Sequence, residues 1–116
     1  MPEPSVSFVA PDGKTYSLRL TRWARRELEE KHGILLNGYG DAFWSPTKAE
    51  AILACMLEGH RRVAGGNARP LTADEVATLY ESMPHLEVVH HMDAAFTAAF
   101  SWKKPGEAAE GASPPA

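Results

Sequence analysis

Between Ser5-Val-Ser-Phe-Val9 and Thr15-Tyr-Ser-Leu-Arg-Leu20 lies Pro11-Asp12-Gly13-Lys14, a turn sequence joining two runs of alternating apolar and polar residues. The pattern predicts a β-hairpin with Tyr16, Leu18 and Leu20 on one face and Thr15, Ser17 and Arg19 on the other. A lone hairpin cannot bury a core, so the rest of the chain has to cover its apolar face.

Helices are the expected cover. Thr21 offers an N-cap oxygen, and Arg22 to His32 is free of proline and glycine until Gly33, a residue suited to the left-handed position after a helix end. Leu20, Ala24 and Leu28 form its stripe, with Trp23 at the edge and Arg22, Arg25, Arg26, Glu29 and Glu30 turned away; this helix is expected to lie on the hairpin. Residues 34 to 44 mix glycine and asparagine with large apolar groups and predict an irregular loop that packs down. Ser45-Pro46 reads as a capped helix start, and Ala49, Ile52, Leu53, Met56, Leu57, His60 and Val63 share one arc as far as the Gly65-Gly66-Asn67 connection.

Thr72-Ala-Asp-Glu75 fits a capping box, with Leu71 and Val76 placed for a hydrophobic staple and Val76, Leu79, Tyr80 and Met83 as the stripe behind it. Pro84 separates this helix from a last one, His85 to Trp102, whose apolar side is read as Leu86, Val89, Met92, Phe96 and Phe100, with Asp93 awkwardly among them. Residues 103 to 116 hold nothing large and apolar and predict a disordered tail. The reading is an α+β fold, an N-terminal β-hairpin packed on about four α-helices, in a single domain over residues 1 to 102.

Charge and cysteine content narrow the function. A net charge of -3 gives no global attraction to nucleic acid or an anionic membrane. The one cysteine, Cys55, cannot form an internal disulfide or a cysteine-based zinc cluster, and no stretch reaches the ~20 apolar residues that span a bilayer, so a cytoplasmic protein is expected.

The closest approach to a catalytic signature is a pair of Glu-x-x-His spacings, Glu29 to His32 and Glu87 to His90. Helical geometry turns Glu29 roughly 150° and Glu87 roughly 170° from the centres of their stripes, so neither spacing predicts an inward metal site. His85, His90 and His91 lack the i, i+3 or i+4 spacing that shares a helix face, and Glu87 with His91 is read as a solvent-side pair. His60 is expected to be a satisfied core histidine, and Cys55, with no histidine placed as a base, an inert thiol. With no phosphate loop, nucleophile elbow or zincin motif, the sequence assigns no catalytic residue, metal or cofactor.

What remains is binding. The cluster Arg19, Arg22, Arg25, Arg26 around Trp23 is a possible face for a phosphate backbone or an acidic partner, diluted by Glu27, Glu29 and Glu30. Trp23, Tyr39, Phe43 and Trp44, flanked by Arg22 and Arg26, are the predicted partner-binding group, because accessible aromatics dominate contact energies; closing the core is their other reading.

The run Asp12-Gly13-Lys14-x-Tyr16-x-Leu18-Arg19-Leu20-Thr21, followed by Ala24 and Leu28-Glu29-Glu30 before Gly33, resembles the start of a family of small phage and gene-transfer-agent tail proteins. Over about residues 6 to 102 the order of the remaining helices is similar too. Members are described both as tail assembly chaperones and as tail tube proteins. The resemblance implies a non-enzymatic protein of the bacterial host cytoplasm that binds the helical tape-measure protein or other tail proteins. Its alternatives are a structural tail component of a virion or gene transfer agent and, further off, a small DNA-binding regulator using the Arg19–Arg26 patch.

Overall fold

The computed structural model describes residues 5–100. Strands β1 (Val6–Val9) and β2 (Thr15–Leu18) pair antiparallel, with Val6 opposite Leu18 and Phe8 opposite Tyr16. The turn closes as its residues dictate. Gly13 takes φ 84° and donates its amide to the Ala10 carbonyl, while the Asp12 carboxylate accepts from the Lys14 amide at 2.8 Å and the Tyr16 hydroxyl at 2.8 Å. Phe8, Leu18 and Leu20 are buried on the inner face.

Helix α1 (Arg22–His32) starts where the Thr21 hydroxyl accepts from the Ala24 amide at 3.1 Å. It stops where Gly33, at φ 66°, returns its amide to the Glu29 carbonyl. A 3-10 turn (Leu36–Gly38) and a one-turn helix α2 (Tyr39–Ala42) follow, so the segment expected to be irregular is mostly helical, and it packs down through Ile34, Tyr39, Ala42 and Phe43. Helix α3 (Pro46–Ala64) is the spine of the fold. It carries proline in its first turn, but the Ser45 side chain makes no capping bond; the Ser45 carbonyl, accepting from Ala49, starts the ladder instead. Helix α4 (Ala73–Glu81) has the full capping box, Thr72 and Glu75 each bonding the other's backbone amide. Helix α5 (His85–Phe100) completes the described chain. The expected extension of the last helix to Trp102 and the expected disordered tail lie outside the described residues.

Two expectations about packing change. The hairpin is covered by α3 and α5, and α1 packs chiefly on α3 rather than lying on the strands. The reason sits in α3: Gly59 has no side chain, and a Cβ there would stand 2.7 Å from the Arg19 carbonyl oxygen. That gap lets the β2–α1 junction press onto the helix, where the Arg19 amide donates to the Met56 carbonyl at 3.1 Å. The second change is in α5, whose buried stripe is Val88, Met92 and Ala95. The helix is turned by roughly 100° from the arc centred on its largest side chains, because the alanine side allows the closer approach to α3 and the hairpin. Asp93 therefore faces solvent, and Leu86 and Phe100 are 68% and 45% exposed.

Candidate functional site

The predicted aromatic group does not form one surface. Tyr39 and Phe43 are core residues, 1% and 5% exposed. They are buried because the 3-10 turn and α2 roll their side of the segment inward, so for these two the core-closing reading holds and the partner-binding one does not. Tyr39 packs on Phe43 and, at 5.1 Å, on Phe96; its hydroxyl has no hydrogen-bond partner among the described residues, and burial pushes it up to about 12. Trp23 is half-buried, with the Arg62 guanidinium stacked 4.0 Å over its ring. Arg22 and Arg26 are exposed beside it and form no ion pair with the described residues. Trp44 is 59% exposed. It lies just before the first turn of α3, whereas Trp23 meets the last, so the two tryptophans mark opposite ends of a helix some 28 Å long, about 1.5 Å per residue over its 19 residues.

At the Trp44 end, a recess of about 490 Å³ opens between the α2 segment and α5. Tyr39, Phe43, Val89 and Phe96 form its floor, and Trp44 and Leu86 its rim. Phe96 continues to the exposed Phe100, with ring centroids 4.9 Å apart. The result is a strip of large apolar side chains along the outer side of α5, made from the residues that the sequence pattern assigned to the core, with His90 and Asp93 as its polar lining. His85 anchors one end: its Nδ1 lies 2.8 Å from the Tyr80 hydroxyl, and Trp44 tilts against its ring at 5.4 Å.

At the other end, a larger groove of about 600 Å³ runs between β2, the second half of α3 and the segment joining α3 to α4. Tyr16, Trp23, Leu57 and Val76 supply apolar wall, and Arg61, Arg62 and Arg69 the charge. Glu58 accepts from both Arg61 and Arg62, and the Arg61 hydrogen bond first, then the two positive charges, hold its carboxyl below the usual range. His60 lines the groove instead of sitting satisfied in the core: its Nδ1 is buried without a partner among the described residues, and burial, then the Arg19 charge, disfavour its protonated form. Cys55 is buried nearby, its thiol pushed up to about 11 by burial and so protonated at neutral pH.

Other singled-out residues stay apart. Glu29, His32, Glu87 and His90 are exposed, and no group of three His, Cys, Asp or Glu among the described residues is placed to hold a metal. His91 is not on the solvent side; it stacks on Phe8 at 4.2 Å, with Glu87 3.6 Å from its Nε2, beyond hydrogen-bond reach. No described helix is long and apolar enough to cross a membrane. Comparison of the chain with protein-family models, curated proteins and solved structures finds no match.

Proposed function

We propose that this chain is a non-enzymatic protein-binding module, a tail assembly chaperone of the phage type, whose strip from Trp44 and Leu86 to Phe100 receives an amphipathic helix of a tape-measure or other tail protein. The observation that carries the reading is the outward turn of α5, which leaves large apolar side chains flanking a recess with an apolar floor. Large contiguous apolar exposure on a small domain marks an interaction surface, and a recess between two helical segments suits a partner helix presenting anchors at i, i+3 or i+4 and i+7. Masking such a helix until assembly would keep a long, aggregation-prone chain soluble. The experiment is co-expression with the longest helical tail protein encoded beside this chain's gene, followed by size-exclusion chromatography. Co-elution of a soluble complex is the expected result; precipitation of the partner while this chain runs alone, or its recovery in finished particles, would favour a structural tail component instead.

A further inference from the structure

We propose that the groove between β2, the second half of α3 and the α3–α4 connection binds an acidic peptide segment, which inserts an apolar side chain against Trp23 and Leu57. The charges lining it are three arginines and one glutamate, and with Glu75 held on Arg69 one positive charge stays in excess, in a chain whose own net charge is -3. The groove is therefore a local reversal of sign, and a segment rich in carboxylates is its electrostatic complement.

Arg61 is held by Glu58 and the Ala68 carbonyl, but the other two arginines are available. Arg69 is engaged by Glu75 at 2.6 Å, but its side chain is 66% exposed and that of Glu75 39%, and so open a pair exchanges partners at little cost. Arg62 gives only its Nε to Glu58 while its guanidinium carbon lies over the Trp23 ring, and its terminal nitrogens donate to no described residue. That stack presents a flat, charged edge above an apolar floor, the arrangement a carboxylate beside an aliphatic side chain would meet in two contacts at once. Nucleic acid fits less well, because the arginines ring an apolar recess with Glu58 among them instead of following a stripe. This site is separate from the Trp44 strip, and its test does not depend on it.

The test is fluorescence anisotropy of the full chain with three labelled peptides: glutamates around a central leucine pair, the same with lysines for the glutamates, and the same with serines for the leucines. The glutamate–leucine peptide is expected to bind saturably, at least about tenfold tighter than either relative, and to weaken with salt. Arg69→Glu should weaken it about tenfold with the circular dichroism spectrum unchanged, and Trp44→Ser should leave it alone. Absence of binding, equal binding of the lysine peptide, or tighter binding of a single-stranded oligonucleotide would overturn the proposal. So would binding that emerges only when residues 103 to 116 are removed, which would make the chain's own tail the occupant.

Discussion

The two ends of α3 treat a tryptophan in opposite ways. At the C-terminal end Trp23 is half-covered, stacked under Arg62 and set in a groove lined by arginines with Glu58 among them. At the N-terminal end Trp44 stands open beside Leu86, above a recess with an apolar floor and His90 and Asp93 at its side. The first arrangement covers much of its aromatic from within the chain; the second leaves apolar surface in water, a cost that a partner would remove. A half-buried aromatic under a cation thus contributes to the fold's own stability, whereas an open one with apolar neighbours is the surface on which the proposed docking rests.

Substitutions separate the two roles, and the largest effect belongs to the core beneath the strip. Tyr39→Ala should cost about 3–5 kcal/mol in denaturant unfolding, since it empties a fully buried site. Tyr39→Phe should leave stability unchanged or raise it, because the hydroxyl it removes is buried without a partner among the described residues. A drop of several kcal/mol for the phenylalanine variant would show that the hydroxyl is bonded after all.

Gly59→Ala comes next. An exposed helical glycine changed to alanine stabilises by about 1 kcal/mol; here the new Cβ meets the Arg19 carbonyl, and a loss of about 1–2 kcal/mol is expected. The sign of the change, read from the thermal midpoint, decides whether the β2–α1 junction presses on α3 as described.

A smaller effect is the pH response at the groove's outer edge. The Arg69 hydrogen bond first, then the Thr72 amide, lower the Glu75 carboxyl to about 2 from an ordinary value of 4.5. A depressed folded value means that its stabilisation is complete above about pH 4.5 and is lost as pH falls from there through about 2. Arg69→Ala should flatten that part of the stability profile, measured by thermal unfolding across the range, and an unaltered slope would remove the pair from the account.

Much of this architecture was readable from residue patterns. The hairpin turn, the Gly33 stop, the Thr72 capping box and the Pro84 break are local chemistry, and local chemistry is written in adjacent residues. The rotation of α5 was not, because its pattern names its large side chains but not the partner surface that prefers the alanine side. Gly59 was silent for the same reason: its role is a close approach by Arg19, forty residues earlier in the chain. Of the predicted site, Trp44 is where an exposed aromatic was expected and Trp23 is in part, while Tyr39 and Phe43 went to the core with α2. Nothing in the sequence placed Arg61, Arg62 and Arg69 around one groove, since two lie on α3 and one on the connection that folds back beside it.

The central claim is that the Trp44–Leu86 strip is a docking surface and not a packing defect. Its most direct test is the double variant Trp44→Ser, Leu86→Ser, co-expressed with the helical tail protein and analysed by size-exclusion chromatography beside its own thermal unfolding. Both side chains are largely exposed, so the isolated variant should unfold within about 0.5 kcal/mol of the parent or be slightly more stable, yet no longer co-elute with the partner. Undiminished co-elution, or an unfolded variant, would contradict the account.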